Sequence, residues 1–473
     1  MSLDQAAESL GDLADRLTEG ALVTDRDVID AYAFDRALFC PAGQALGLVR
    51  ARSVDDVVAV MRFATEHRIP VVTQGARTGL SGGANAVDGS LLLNVAGLDA
   101  ILEVDPVNRI CRVEPGVINA DLKAALRAEG LAYPPDPGSV AISTIGGNVA
   151  TNAGGMCCVK YGVTKDYVRG LTVVLADGTV TRLGHQTAKG VAGLDLTSLF
   201  VGSEGILGVI VEITLGLTPA LPPPLTGVGI FPDAESAGRT VADFMAAGLQ
   251  PSMLELIDAA TMAMINDFGD FGLPDDAGAL LLVQSDATHA EAEAVLARFQ
   301  SVAESNGATE VVVSDDPDDS DMLVAARRAV APAMEQYANA HGGGELVDDV
   351  CVPRSRLGEF FARLREIDDR YDIAVATAGH AGDGNMHPSV LFDARDEEQI
   401  AQAQAAFAEI MALGLELGGT ITGEHGVGYL KREWLGRELD QGAQRLQAGI
   451  KDTLDTLGIL NPGKVLPGTL SGQ

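Results

Sequence analysis

The chain has 473 residues, of which 47% are hydrophobic, and its 33 basic and 66 acidic side chains give a net charge of −33. This length predicts two or three domains, and the negative charge argues against binding to nucleic acids or to anionic membranes. No apolar run reaches the roughly 18 residues that a membrane-spanning helix needs, so a spanning segment is not expected.

The N-terminal segment "MSLDQAAESLGDLADRL" predicts an acidic amphipathic helix and lacks the basic start and apolar block of a signal peptide. The five cysteines are unevenly spaced, and no CxxC motif is present. Together these features favour a reducing compartment and predict a cytoplasmic protein.

Up to residue 217 the sequence is rich in glycine and in short apolar runs. Residues 53–69 predict a helix with Ser53 as its N-cap, followed by a buried strand over residues 69–75. Asp177-Gly178 predicts the turn of a hairpin. The proline-rich segment from Thr218 to Leu225 suits neither a helix nor a sheet interior, and therefore predicts a domain boundary.

From residue 226 to about residue 393, strand-like and helical segments alternate. This alternation predicts an α+β layer, in which helices cover one face of a sheet. Two long helices are expected further on, over residues 396–419 and 434–460.

Three glycine-rich segments point to a large ligand. They are Gly75–Ala84, Pro134–Gly155 and Thr197–Ile213. In the first, backbone N–H groups can converge on an anion such as a pyrophosphate, and Thr78 and Ser81 add hydroxyl donors. So little side-chain bulk is costly to order, and close backbone approach to a flat aromatic dinucleotide would offset that cost. The alternative for the first segment is a structural turn.

Two standard nucleotide motifs are not supported. No GxGxxG follows a predicted strand. "GILNPGKV" has the spacing of a P-loop, but Val465 occupies the position of the magnesium-binding hydroxyl, and the segment follows a helix.

His380 and His387 flank a Gly-Asp-Gly-Asn turn. On a straight helix their spacing spans roughly 10 Å, and on a straight strand over roughly 20 Å, so they can share one ion only if the chain folds back between them. Glu424, beside His425, offers a third ligand, and two histidines with one glutamate form a catalytic pattern for zinc or a similar ion. The alternative is a set of hydrogen-bonded polar residues at a domain seam.

The segments "GARTGLSGGA", "PPDPGS…STIGGNVATNAGG" and "GSEGILGVI" resemble the FAD-binding half of the vanillyl-alcohol oxidase / p-cresol methylhydroxylase superfamily. "GHAGDGNMH" and "TGEHGVG" resemble its FAD-linked oxidase C-terminal domain. Within it the chain is most similar to the D-2-hydroxyacid dehydrogenases, a group that includes D-lactate dehydrogenase (cytochrome), the FAD subunit of glycolate oxidase and D-2-hydroxyglutarate dehydrogenase.

The resemblance implies an α+β fold in three parts. Residues 1–217 would form a PCMH-type FAD-binding domain, and residues 218–420 a substrate or cap domain with a ferredoxin-like antiparallel sheet. Residues 421–473 would complete the active site and return to the FAD domain, and helices are expected towards the C-terminus.

The resemblance also implies how FAD is held. The first glycine loop contains no histidine, so FAD is expected to bind non-covalently. The implied pyrophosphate loop comprises Gly75, Arg77, Thr78, Gly79, Leu80 and Ser81. The implied lining of the isoalloxazine and ribityl groups comprises Pro137, Ser143, Thr144, Gly147, Asn152 and Gly155. Val209 and Ile210 would lie near the adenine.

For the reaction, the resemblance implies oxidation of a D-2-hydroxyacid by hydride transfer to flavin N5. His380, His387 and Glu424 would bind a divalent metal, zinc first and manganese or iron as alternatives. His425 would contact the substrate and act as the base, and Arg327 would bind the substrate carboxylate.

Residues that would serve a second substrate carboxylate in D-2-hydroxyglutarate dehydrogenases correspond here to Ala331, Val347 and Ser389. D-lactate or glycolate is therefore favoured, with D-2-hydroxyglutarate as the alternative. An accessory electron-transfer subunit of a larger oxidase and a flavin-free metallohydrolase are the alternatives from other classes. The electron acceptor (cytochrome, quinone or electron-transfer flavoprotein) is left open, as are a homodimer and peripheral membrane association through that acceptor.

Overall fold

The computed structural model describes residues 10–314 and 324–467. Most of the predicted N-terminal helix lies outside this range, and its described part is helical over residues 10–14.

The N-terminal half contains a four-stranded sheet, a five-stranded sheet and a two-stranded sheet. Its strands are β1 (Leu22–Val23), β2 (Gly47–Arg50), β3 (Val71–Gln74), β4 (Leu91–Asn94), β5 (Ile101–Asp105), β6 (Ile110–Val113), β7 (Leu131–Ala132), β8 (Val168–Val174), β9 (Val180–Gly184), β10 (Val209–Gly216) and β11 (Thr218–Pro219). Its helices are α1 (Arg26–Ala31), α2 (Val54–His67), α3 (Asn119–Ala128), α4 (Ile145–Thr151), α5 (Cys158–Tyr161), α6 (Thr164–Tyr167) and α7 (Leu196–Phe200).

The first sheet has the order β1-β2-β4-β3, with β2, β4 and β3 parallel, and the second is antiparallel with the order β5-β6-β10-β8-β9. The two-stranded sheet is formed by β7 and β11. Helix α2 begins at the predicted N-cap, where Ser53 and Asp56 form a capping box. The predicted hairpin is confirmed as β8–β9, because the two strands pair on either side of the Asp177-Gly178 turn.

The C-terminal half is built on one larger sheet. Its strands are β12 (Leu225–Phe231), β13 (Met253–Asp258), β14 (Ala279–Ser285), β15 (Glu310–Ser314), β16 (Gly343–Val347), β17 (Val350–Cys351), β18 (Ala374–His380) and β19 (Asn385–Asp393). Its helices are α8 (Ala234–Ala246), α9 (Ala259–Phe268), α10 (His289–Ser305), α11 (Val330–Ala340), α12 (Leu357–Asp368), α13 (Glu397–Glu416), α14 (Arg432–Glu438) and α15 (Gln441–Leu454).

This antiparallel sheet has the order β15-β12-β14-β13-β18-β19-β16, and β17 also pairs with β19. The expectation of helices on one face only is wrong. Leu281 of β14 packs in a core with α8, α10, α12 and α13, while its neighbour Leu282 packs on the opposite face with α9 and α11. Both faces are covered because β14 is apolar at successive positions, and such a strand must be buried on both sides.

The prediction of one long helix over residues 434–460 is also wrong. Residues 434–460 form two helices, α14 and α15, which meet at Asp440, whose carboxylate accepts a hydrogen bond from the Ala443 amide as an N-cap. The chain then returns to the first sheet, where Leu460 bridges to Val71. Among the described helices, none combines the length and apolarity that crossing a bilayer requires.

Candidate active site

The hairpin β18–β19 places the two predicted histidines together. Ala378 pairs with His387, and His380 pairs with Asn385, so both histidines point from the same face of the hairpin. The tight connection over residues 381–384 depends on Gly384, which has φ +80° and whose Cβ would lie 2.1 Å from the Val352 carbonyl oxygen. The expected fold-back between the histidines is therefore present.

Glu424 and His425 reach the same point from the loop before α14. Glu424 Oε1 lies 3.2 Å from His380 Nε2, 3.4 Å from His387 Nε2 and 4.0 Å from His425 Nε2. The rings of His387 and His425 stack with centroids 4.9 Å apart. The structure thus brings together all four residues that were singled out for the metal and the base.

Two buried carboxylates that the sequence reasoning missed hold this cluster. Glu255 in β13 contacts His380 Nδ1 at 2.9 Å, and Asp349 Oδ1 lies 3.4 Å from His387 Nδ1. Each is an isolated acidic residue or pair in an apolar strand-like segment, "MLELID" and "LVDDVCV", and that is the signal that could have identified them.

Asp349 also anchors the loop that carries the predicted base. Its Oδ2 accepts hydrogen bonds from the Thr422 hydroxyl and from the Glu424 and His425 amides, and its Oδ1 accepts one from Asn385. These hydrogen bonds make Asp349 an anchor of the loop, and with His387 and His425 it also forms a second group whose ligand atoms lie within 4.8 Å of one another and could hold a metal ion. Burial acts to raise the pKa of the Asp349 carboxyl, but its interactions with His425, His387 and Lys431 hold that pKa well below its usual range.

The donor set fits a divalent cation. Glu255 can only accept, so His380 Nδ1 carries the proton and His380 Nε2 turns a lone pair towards Glu424. A lone pair facing a carboxylate is repulsive unless a cation lies between them or the ring takes a second proton. Without a metal, burial lowers the pKa of His380, but Glu255 and Glu424 outweigh it and hold that pKa well above its usual value.

The pKa values of Glu424 and His425 are both lowered, unlike that of His380. Burial alone would raise the pKa of Glu424, but His380 beside it lowers that pKa to about 2. Burial lowers the pKa of His425 to about 4, so this imidazole is neutral at neutral pH. Among the described residues, Glu424 Oε2 and His425 Nδ1 are buried without a hydrogen-bond partner.

Arg327 lies in the helical residues 324–328, beside the histidine cluster. Its Nε donates to Glu255 Oε2 at 2.7 Å, the same carboxylate that contacts His380. Arg328 is exposed. Arg327 is thus connected to the cluster, whereas Arg328 lies at the surface.

The glycine segments meet on the other side of the cluster. A Cβ at Gly75 would lie 2.5 Å from Thr144 Oγ1, and one at Gly154 would lie 2.5 Å from Glu424 Oε2. Ser143 Oγ is buried and has no hydrogen-bond partner in the part of the chain that the structure describes. A backbone-lined cradle with an unused hydroxyl fits a large ligand such as FAD.

The predicted flavin contacts fall into three groups. Gly75 to Ser81 form the loop after β3, and Pro137 to Gly155 surround α4, whose first turn is capped by Thr144. Val209 and Ile210 lie at the start of β10, with Val209 in the core of the first sheet and Ile210 in that of the second. The structure therefore joins the first two groups, while the side chains of the third pack in cores.

Glu204 connects the glycine-rich N-terminal half of the site to the loop that carries His425. Its carboxylate accepts from the amides of Val427 at 2.7 Å and Gly428 at 2.9 Å, and its own amide donates to the Ala150 carbonyl. Burial raises the pKa of Glu204 to about 7.

The segment "LNPGKV" anchors the first glycine loop. Asn461 donates to the carbonyls of Gly83 and Glu204, and the Lys464 ammonium donates to those of Gly82 and Asn85. This segment was tested in the sequence as a P-loop and rejected. Its lysine holds loop carbonyls.

Family models match both halves of the chain. Residues 45–184 match an FAD binding domain, and residues 226–465 match the C-terminal domain of FAD linked oxidases. The chain is also 39% identical, over 436 residues, to the glycolate oxidase subunit GlcD of Bacillus subtilis, covering 92% of this chain and 91% of the relative. The chain belongs to the FAD-linked oxidase family.

This FAD-linked oxidase is 36% identical over 428 residues to a D-lactate dehydrogenase of Anaerostipes hadrus, which covers 88% of this chain and 89% of the relative. Its fold is similar to that of p-cresol methylhydroxylase with substrate bound, with a TM-score of 0.81 at 18% identity over 98% of this chain and 97% of that one. The expected α+β fold of this flavoprotein superfamily is confirmed, and the chain is an oxidoreductase with an FAD-binding domain.

Proposed function

We propose that this oxidoreductase oxidises a D-2-hydroxyacid of the D-lactate or glycolate type to the 2-oxoacid. The observation that carries the proposal is the contact between the glycine segments and the histidine cluster, at Gly154 and Glu424. The proposed flavin cradle thereby lies next to the proposed metal-ligating and basic side chains. The names of the relatives, glycolate oxidase subunit and D-lactate dehydrogenase, support the same substrate class.

The cofactors in this proposal are non-covalent FAD and one divalent ion, zinc first, with manganese or iron as alternatives. Bound FAD supplies a hydride acceptor at N5, and the ion supplies a Lewis acid for the 2-hydroxyl group. His380, His387 and Glu424 would hold the ion, and the glycine loop from Gly75 to Ser81 would hold the pyrophosphate.

The side chains of the cluster divide the remaining work. Arg327 binds the substrate carboxylate and fixes carbon 2 in one orientation. His425 takes the proton of the 2-hydroxyl at one ring nitrogen as the hydride leaves carbon 2, so that one proton and one hydride are removed together. The stacked His387 ring, 4.9 Å away, holds the His425 ring in place.

The small substrate is supported by the residues near the sheet edge. Val347 pairs with Ser389 across β16 and β19, and Ala331 is exposed on α11. No basic side chain stands at these three positions to bind a second substrate carboxylate. D-lactate or glycolate is therefore favoured, and D-2-hydroxyglutarate is kept only as the alternative substrate.

An accessory electron-transfer subunit is the second candidate function. It is favoured by the name of the Bacillus subtilis relative, glycolate oxidase subunit GlcD. The electron acceptor, whether cytochrome, quinone or electron-transfer flavoprotein, would then be reached within a complex. A cytoplasmic location and the three-part division at residues 217 and 420 are part of the same proposal.

Anaerobic mixing of the purified yellow protein with D- and L-lactate, glycolate and D-2-hydroxyglutarate tests the function. We expect D-lactate or glycolate to bleach the flavin absorbance within seconds, with 2-oxoacid formed in equal amount. Failure of every acid to bleach the flavin would favour the accessory role, and a colourless protein with hydrolase activity would contradict flavin chemistry altogether.

Metal analysis of the same preparation tests the ion. We expect about one divalent ion for each flavin, and loss of bleaching after chelation that returns on adding zinc or manganese. A protein that holds no stoichiometric metal and bleaches fully in chelator would remove the ion from the proposal.

A further inference from the structure

Glu255 is a fully buried carboxylate beside the candidate site. It lies in the middle of β13, between the buried Leu254 and Leu256, and its side chain is fully inaccessible. An isolated carboxylate in such a place is strongly destabilising unless charged or hydrogen-bonding partners compensate it. The partners that compensate the charge of Glu255 therefore indicate its role.

Both partners belong to the site. Glu255 Oε2 accepts from Arg327 Nε at 2.7 Å and from His380 Nδ1 at 3.0 Å, while its Oε1 accepts from His380 Nδ1 at 2.9 Å. The sheet fixes the second contact, because the register that pairs Leu256 with Gly379 sets Glu255 beside His380. One carboxylate thus contacts the proposed substrate anchor and a proposed metal ligand.

The two contacts of Glu255 leave the other nitrogens of His380 and Arg327 available to a ligand. With Nδ1 turned to Glu255, His380 presents Nε2 to the cluster. With Nε turned to Glu255, Arg327 keeps its two terminal nitrogens, which have no hydrogen-bond partner among residues 10–314 and 324–467. Those two nitrogens form the fork that matches a carboxylate.

We propose that Glu255 is a positioning residue that aligns the arginine and the metal-ligating histidine together, and so sets where the carboxylate and the hydroxyl of one hydroxyacid are held. This inference rests on the proposed function. It predicts that a single change at Glu255 weakens both metal binding and anion binding, whereas changes at Arg327 or His380 weaken mainly one of them.

The test uses the FAD-bound protein and the variants Glu255→Gln and Glu255→Asp. Zinc affinity is measured by competition with a chromogenic chelator, and oxalate affinity by the change in flavin absorbance at saturating zinc. Glu255→Gln puts an N–H donor where Oε1 now accepts, and we expect zinc affinity to fall about 10- to 100-fold and oxalate affinity about tenfold. Glu255→Asp keeps the charge and should restore part of both affinities.

Asp258 provides the matched control on the same strand. Its carboxylate accepts hydrogen bonds from the amides of Thr261 and Thr377 and contacts neither Arg327 nor His380. Asp258→Asn should lower the melting temperature by as much as Glu255→Gln does, yet leave the zinc and oxalate affinities within about twofold of the wild type.

The outcomes separate the two proposals. If the wild type binds both zinc and oxalate and Glu255→Gln changes neither affinity, or only one, the positioning role is wrong and the proposed function stands. If the wild type binds neither probe, the role of Glu255 is overturned, and the proposed function is then decided separately by whether a 2-hydroxyacid bleaches the flavin. If Glu255→Gln does not fold, the same comparison is made with Glu255→Asp, whose unchanged affinities would equally contradict the role.

Discussion

The two halves of the candidate site are made from different parts of the polypeptide. The flavin half, around Gly75–Ala84 and α4, presents mainly backbone, and its glycines remove side chains from the surface facing the ligand. The histidine half, on β18, β19 and the loop after α13, presents side chains whose orientation depends on buried carboxylates. Substitutions should therefore act by collision in the first half and by loss of a chemical group in the second.

The largest effect is expected in the histidine half. In His425→Asn the ring that would take the hydroxyl proton is lost, and the rate of flavin reduction by D-lactate or glycolate should fall about 10²- to 10⁴-fold. Stopped-flow absorbance under anaerobic conditions measures this rate. The protein should stay yellow, because the hydrogen bond from the Ser81 hydroxyl is accepted by the backbone carbonyl of His425, which the substitution keeps.

The control for this change is His289→Asn, since His289 is two-thirds exposed and lies far along the chain on α10. Its flavin reduction should match the wild type. A wild-type rate in His425→Asn would contradict the assignment of the base.

In the flavin half, Gly82→Ala should weaken FAD binding about tenfold or more. Gly82 has φ +73°, and its Cβ would lie 2.7 Å from both Cβ and Sγ of Cys40, so the loop must move. The flavin-to-protein ratio after dialysis and the dissociation constant from fluorescence titration measure the effect. Zinc binding by the histidine half should persist.

Gly89→Ala separates collision from backbone strain. Gly89 has nearly the same φ, +71°, but nothing lies within 4 Å of its Cβ. The Gly89→Ala variant should keep its flavin. Equal flavin loss in both variants would show that the collision at Gly82 is not the cause of the weaker FAD binding.

A smaller effect, on both halves together, is expected from Glu204→Gln. The amide can accept through only one atom, so one of the Val427 and Gly428 N–H groups loses its partner in a buried site. We expect FAD affinity and the rate of flavin reduction each to fall about three- to tenfold. A change in one quantity alone would mean that Glu204 serves only one half. Glu212→Gln, in the half-buried ion pair with Arg112, is the control.

The smallest effect is expected from Arg77→Ala. The guanidinium points away from the cradle, with Nη1 donating to the Ala31 carbonyl at 2.6 Å and Cζ lying 4.1 Å from the centre of the Tyr32 ring. Stability should fall by about 1 kcal/mol, measured by chemical denaturation, while FAD affinity changes less than about threefold. A large loss of FAD would show that the side chain, and not the backbone, holds the flavin.

The difference between the halves also explains what could be predicted from the sequence. Glycine spacing is local, so Gly75–Ala84 and the turn between His380 and His387 were found without knowledge of the fold. Glu255 and Asp349 were missed because their histidine partners lie on other strands and only the sheet register brings them together. The continuous apolar run of β14 was a local signal of burial on both faces, but the helices that cover each face are set by the topology of the chain.

The anchoring of the first glycine loop by "LNPGKV" has a consequence for biosynthesis. Lys464 and Asn461 hold the carbonyls of Gly82 and Gly83 although they lie 382 and 378 residues further along the sequence. During translation the loop is therefore made long before its last supports, which emerge only after the whole C-terminal sheet has been synthesised. A nascent chain that ends before Asn461 lacks these supports of the loop, so we expect it to capture the cofactor poorly.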